Sequence, residues 1–202
     1  MRNTVREALK AVVQRVLCDY SIYFIYECPM PPPVTPGVPG ALRIAGIDDE
    51  VLKSLREHPY QKIAGAAAYS GVGATGWVAL DGTEIAATCW AWNRERLGDS
   101  LFFTLTGLQY ALVDVVTAPD YRGRGLAPAM ISFSARTLVE LGMTRYRAWI
   151  WWTNTASIRA FEKVGWRRSQ LIVTFRPFGR RKRWVIKLNT RFWSRNGGRD
   201  RD

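Results

Sequence analysis

The sequence is short of the residues that build metal centres and disulfide frameworks. It holds one histidine, His58, and three cysteines, Cys18, Cys28 and Cys89. No two cysteines form a CxxC pair, so neither a structural zinc site nor a disulfide scaffold organises the fold, and no metal is expected. A sparse, odd cysteine count suits a reducing compartment, and free cysteine is a common core filler, so none is taken as a nucleophile. Long apolar runs are also missing. The stretch from Ala11 to Tyr26 carries Arg15 and Asp19 and is too short and polar to span a bilayer. No signal peptide is evident, and the expected location is the cytoplasm. Acidic residues are scarce: 17 stand against 29 basic ones, for a formal net charge of +12. That balance attracts anions, whether nucleic acid, an anionic membrane surface or a ligand with several phosphates, and charge alone does not choose among them.

What is present suits one soluble globular domain with an N-terminal addition: 202 residues, 48% hydrophobic and 23% charged. A helix is expected from Asn3 to Leu17, with Val5, Leu9, Val12, Val13 and Val16 on one face. Its face docks on the protein's own core, as most such helices do, or on a membrane surface. Tyr20–Tyr26 is β-branched and aromatic enough for a strand. The prolines and glycines of Pro29–Gly40 then read as a semi-rigid linker. The expected division is an appended helix and strand over 1–28, a linker over 29–40, the main domain over 41–190, and a basic tail over 191–202.

Within the main domain, strands are expected at Ala41–Ala45, Trp77–Leu80, Thr83–Trp92, Leu101–Leu105 and Tyr110–Thr117. The Asp81-Gly82 dipeptide favours a hairpin turn between the second and third. Asp48 or Asp49 caps a helix running to Glu57, and a weaker helix covers Gln61–Tyr69. Beyond Thr117 the order becomes helix from Gly125, strand Tyr146–Trp152, helix Thr155–Val164, and a last strand pair at Leu171–Phe175 and Trp184–Leu188. Antiparallel strands followed by strand–helix alternation argue an α+β fold: a mixed, mainly antiparallel central sheet flanked by helices, with the N-terminal helix and strand appended.

One segment carries chemistry. In Val113–Pro128 a strand ends, the chain turns on Gly123 and Gly125, and a helix begins. The first amides of a helix lack internal acceptors and, with the helix dipole, present partial positive charge to an anion. Glycine lets a phosphate approach the backbone without a Cβ in the way, and Arg122 and Arg124 add cationic side chains. G-x-G-x-x-G is absent, as are the lysine and hydroxyl residue of a P-loop. Further on, Asn154–Trp166 starts where a strand should end.

Taken together, the two segments resemble the GNAT acetyltransferase superfamily. Its signature is Arg or Gln, two residues, Gly, one residue, then Gly or Ala, and Arg122, Gly125 and Ala127 fit it. The helix that follows in that family is matched by Asn154, Ser157, Glu162, Lys163, Gly165 and Trp166. The match runs from about Tyr110 to Trp166, is looser from Ala41, and leaves the first helix and linker uncovered. The resemblance implies acetyl-CoA as co-substrate and a small-molecule or protein amine as acceptor, with direct attack and no acyl-enzyme. It implies that Val115, Val116 and Thr117 bond the pantetheine arm. Arg122, Gly123, Arg124, Gly125, Leu126 and Ala127 would surround the pyrophosphate, and Asn154, Ser157 and Phe161 would lie on the far side. A homodimer is compatible with it.

Two positions depart from the pattern. Phe161 stands where relatives carry the tyrosine acid, and Pro128 removes one amide that many relatives aim at phosphate. The base is not fixed by the motif. Relatives often carry a glutamate at the position of Val113, and strict alternation along a strand turns Asp114 to the opposite face. Asp114, Glu84 and Tyr110 are the catalytic candidates, with His58 read as a capping or surface residue. Trp77, Trp90, Trp92, Trp149, Trp151 and Trp152 either wall an acceptor pocket or, as is commoner for aromatics on strands, fill core. The alternatives to an enzyme are an acyl-CoA-binding sensor without turnover, favoured by Phe161, and a nucleic-acid-binding protein using the basic tail.

Overall fold

The computed structural model describes residues 17–33, 37, 40–177 and 183–189. The helix expected from Asn3, the middle of the linker, the run Arg180–Lys182 and the basic tail lie outside the described residues. Leu17, expected to close that helix, opens a strand instead.

Among the described residues, eight strands form one sheet in the order β2-β3-β4-β5-β6-β1-β7-β8. They are β1 (Leu17–Glu27), β2 (Arg43–Gly46), β3 (Ala74–Asp81), β4 (Glu84–Trp92), β5 (Gln109–Thr117), β6 (Arg145–Trp151), β7 (Arg167–Pro177) and β8 (Trp184–Asn189). Only β5 and β6 run parallel; the other neighbours are antiparallel. The helices are α1 (Asp49–Arg56), α2 (Gln61–Ala66), α3 (Arg94–Leu97), α4 (Leu126–Glu140) and α5 (Thr155–Lys163). This is the mixed, mainly antiparallel α+β sheet that the sequence pattern predicts.

The strand expected as an appendage is interior to that sheet. β1 pairs with β6 from Tyr23↔Trp151 to Glu27↔Arg147 on one side, and with β7 along its whole length on the other. Buried side chains explain why it inserts: Ile25 and Tyr26 are fully covered. The Tyr26 hydroxyl donates to Glu162 Oε1 on α5 at 2.7 Å and itself accepts from the Arg168 guanidinium on β7 at 3.1 Å. A sequence reading treats proximity along the chain as proximity in space, and here the linker carries the chain from the inside of the sheet to its far edge. The start of that linker also packs down, with Pro33 against Gly165 closely enough that a Cβ there would meet Pro33 Cγ at 2.8 Å.

Local signals mark most boundaries. Asp48 caps α1 by accepting from the Val51 amide at 2.8 Å, and Gly82 takes the positive φ that the hairpin turn needs. Leu101–Leu105, expected as a strand, has no ladder. Its Phe103 and Leu105 instead bury against Ile25, Ala111 and Ile172 as a second small core, so apolar content there reflects a loop lid over the sheet. The main core lies between the sheet and α4, whose Leu126, Met130, Ile131 and Leu138 are fully buried. Among the described residues no helix is long and apolar enough to cross a membrane.

Candidate active site

The sheet opens along β5. Pairing with β6 runs from Gln109↔Arg145 to Leu112↔Ala148 and stops there, while β5 continues to Thr117. Beyond Ala148, β6 stays paired only along its other edge, with β1 as far as Trp151. The two parallel strands therefore part after Leu112, and a cavity of about 660 Å³ lies against the end of β5 that β6 leaves unpaired. Its walls are the end of β5 (Asp114–Thr117), the turn and first residues of α4, and α5 from Ala156 to Lys163.

The floor of the cavity is the turn into α4. Gly123 and Gly125 sit at φ +76° and +83°, in the left-handed region that favours glycine. These two conformations let the chain reverse and start a helix within three residues. The first bond into α4 is from the Ala129 amide to Gly125 oxygen, at 3.2 Å. Among the described residues, no group accepts from the amides of Gly123, Arg124, Gly125, Leu126 or Ala127. Pro128, next in line, has no amide to offer. Five consecutive donors at a helix start are an anion site in waiting.

Side chains reinforce that character. Lys62, Arg122, Arg159 and Lys163 all line the cavity. Arg122 is held at the rim, donating to the Tyr60 hydroxyl at 2.7 Å and to Thr117 oxygen at 3.4 Å. Tyr121 fixes the turn from behind by sharing its hydroxyl between Asp81 Oδ2 at 3.2 Å and Glu84 Oε2 at 3.1 Å.

Of the twelve residues expected to bind coenzyme, ten line this cavity: Val115, Val116, Thr117, Arg122, Gly123, Gly125, Leu126, Ala127, Ser157 and Phe161. Arg124 does not; its guanidinium lies over the Tyr121 ring, 5.1 Å from the centroid. Asn154 does not either. Its Oδ1 accepts from the Ser157 amide at 3.2 Å and caps α5, a use that its place before a helix foreshadows. Tyr60, Lys62, Arg159 and Lys163 were missed. The spacing of Arg159 and Lys163, four apart on one helix face, was a legible signal for the last two; nothing in the chain marks the first two as neighbours of residue 122.

The three catalytic candidates separate. Asp114 lines the cavity. Glu84 does not: it lies six residues along β4 from Trp90, the strand partner of Asp114, or about 20 Å, and its carboxylate is engaged by Tyr121. Tyr110 pairs with Tyr146 at the closed end of β5, about 13 Å from Asp114, and packs into the main core. His58 is structural. Its Nδ1 accepts from the Tyr60 amide at 3.0 Å and its Nε2 reaches Ile85 oxygen at 3.1 Å.

Alternation misplaces Asp114. The β4–β5 register shifts between Trp90↔Asp114 and Ala91↔Leu112, a bulge with one extra residue on β5. Trp92 pairs with Ala111 and Trp90 with Asp114. Because Trp90 and Trp92 share a face of β4, so do Ala111 and Asp114, although three residues apart. The bulge thus turns the carboxyl to the face that Val113 would otherwise occupy. Burial pushes Asp114 up to about 7, the range in which a carboxylate both holds and releases a proton near neutrality. The Cys28 and Cys89 thiols are pushed up to about 12, chiefly by burial, which keeps both protonated and inert.

Phe161 is buried on the cavity wall, packed edge-on against Trp166 at 4.9 Å. None of the six tryptophans considered lines the cavity. Trp77 and Trp90 are core, while Trp149 and Trp151 join Phe102 and Tyr23 in an aromatic cluster. Among the described residues no group of three His, Cys, Asp or Glu side chains is placed to hold a metal ion.

The profile of the acetyltransferase (GNAT) family matches residues 47–166. No curated protein sequence matches the chain. Solved structures share the fold at low identity. A GCN5-related N-acetyltransferase from Sphaerobacter thermophilus superposes with a TM-score of 0.57 at 12% identity, over 91% of this chain and 57% of its own. A putative GNAT acetyltransferase from Novosphingobium aromaticivorans gives 0.53 at 18%, over 78% and 64%. The aminoglycoside N-acetyltransferase AAC(6′)-Iy in complex with CoA gives 0.51 at 17%, over 62% and 92%. The chain spans less than two thirds of the length of the Sphaerobacter and Novosphingobium proteins.

Proposed function

As the chain belongs to the acetyltransferase (GNAT) family, we propose that it transfers an acetyl group from acetyl-CoA to a small-molecule or protein amine by direct attack. One observation carries the reading: the unaccepted amides from Gly123 to Ala127 open into a cavity rimmed by four cations. Two linked phosphates are the ligand that such a set suits, because several charge-assisted backbone bonds act together. CoA in the aminoglycoside N-acetyltransferase of the same fold supports it as the ligand.

In this reading the cradle anchors the pyrophosphate and the splay between β5 and β6 admits the pantetheine arm beside Val115–Thr117. The thioester then reaches the level of Asp114. Asp114 takes a proton from the ammonium form of the acceptor, and the free amine attacks the carbonyl carbon. Backbone amides beyond the bulge, near Val115 and Val116, polarise that carbonyl. The carbon–sulfur bond breaks, the attacking nitrogen releases its remaining extra proton to water, and the thiolate takes a proton from water, since Phe161 has none to give. A positioned acid is worth roughly 10²–10⁴ in rate, and its loss is tolerable for a thiolate leaving group.

Phe161 also favours a second reading, an acyl-CoA sensor without turnover. One experiment separates the two: protein, acetyl-CoA and a panel of amines, with free thiol followed over time. Thiol release with at least one amine supports the transferase. Tight CoA binding with no release across the panel supports the sensor.

A further inference from the structure

Asp114 has two polar neighbours that the mechanism above does not use. Among the described residues, Thr88 Oγ1, Trp90 Nε1 and Asp114 Oδ2 are buried polar atoms without a hydrogen-bond partner. They are not scattered. Thr88 and Trp90 are two apart on β4, and Trp90 is the register partner of Asp114, so all three side chains stand on one face of the sheet. Thr88 is fully buried and Trp90 is 3% exposed.

The orientation of the indole follows from Gly76, its partner on β3. A Cβ at Gly76 would lie 2.5 Å from Trp90 Cζ3 and 2.7 Å from Cε3. The benzo edge of the ring therefore rests on Gly76, and the opposite edge, which carries Nε1, lies on the side away from β3. Only glycine at 76 lets the ring lie this way. The chemistry is complementary: an indole N–H is a donor only, a hydroxyl donates, and an ionised carboxylate only accepts. Buried polar groups in folded proteins are hydrogen-bonded, and here two unpartnered donors share a sheet face with one unpartnered acceptor.

We propose that Trp90 and Thr88 are positioning residues that donate hydrogen bonds to Asp114 when it ionises, directly or through a shared water. They hold one carboxylate oxygen and leave the other toward the cavity to take the proton. The inference rests on Asp114 as the base. Other ionisable groups around Asp114 are the Tyr69 hydroxyl after α2, pushed up by burial and then by the Asp114 charge, and the Cys89 thiol on β4. Tyr60 and Lys62 face the same cavity, as do Arg122 from the turn before α4 and Arg159 and Lys163 from α5; α4 itself contributes no ionisable side chain to it. On β6, Arg147 is engaged by Thr104 oxygen and Gln109.

Bonds donated to a carboxylate favour its charged form. The wild-type protein should thus titrate at Asp114 below the value of about 7 that burial alone sets, and loss of a donor should move it back up. The test follows the ¹³C resonance of the Asp114 carboxyl in the full chain, assigned by its loss in Asp114→Asn. Thr88→Val, which is nearly isosteric, and Trp90→Phe are each expected to raise the midpoint by about half a unit to one unit. Thr88→Ser is expected to restore it. A midpoint unmoved in both Thr88→Val and Trp90→Phe overturns the proposal. The base assignment is tested apart, by thiol release: an Asp114→Asn protein as fast as wild type sinks the base while the measured donor bonds stand.

Discussion

Replacing Gly125 by glutamate puts a carboxylate in the cradle, and the geometry lets its two effects be told apart. Gly125 is the N-cap of α4 at φ +83°, so any L side chain there is strained by roughly 1–2 kcal/mol. A glutamate at a helix start recovers about 0.3–1 kcal/mol from the dipole. The net cost of folding is about 1 kcal/mol, which for a domain of this size lowers Tm by about 2–4 °C. Binding suffers far more. Excluding a phosphate from two of the five free amides removes charge-assisted bonds worth about 1.5–3 kcal/mol each, so CoA should bind about 10²–10⁴-fold more weakly. Gly125→Asn is the control, since asparagine tolerates the left-handed region and brings no charge. Calorimetric titration with CoA should find the asparagine variant far closer to wild type than the glutamate variant. A glutamate variant that stays folded and binds CoA within threefold of wild type refutes the phosphate cradle.

Asp114 supplies a second test. Its folded pKa is raised, so the folded state holds the proton more tightly than the unfolded chain. Stability is then lost as pH rises from the ordinary carboxylate range through about 7. Thermal melts should show Asp114→Asn gaining on wild type across that window; parallel curves would contradict the burial. Phe161→Tyr should speed thiol release by at least severalfold with CoA affinity unchanged, measured by steady-state kinetics and calorimetry. An unaltered rate would mean that proton delivery to sulfur is not limiting. A chain starting at residue 29 lacks the strand between β6 and β7 and should show no cooperative melt by circular dichroism. A stable, cooperative fragment would restore Leu17–Glu27 to the status of an appendage.

Local chemistry made much of this protein legible in its sequence. The Asp48 cap, the Asp81-Gly82 turn, the glycines at 123 and 125 and the helix period of α4 act over a few residues, so their spacing alone announces a strand, a turn and a helix start with unaccepted amides. The positions of Arg159 and Lys163 on one helix face were readable for the same reason. Other features depend on which strands meet. Whether Tyr20–Tyr26 is an outlier or the middle of the sheet is decided by pairing with β6 and β7, more than a hundred residues away. The face that Asp114 presents is set by one extra residue in a ladder with β4, which strict alternation cannot foresee. Likewise, Glu84 and Tyr110 look as eligible as Asp114 until the register carries them about 13 to 20 Å from it. The sequence by itself determined where the chain turns and which backbone groups are left free. Only the tertiary structure decided which carboxyl stands at the splay, because hydrogen-bond register is a property of two strands and never of one.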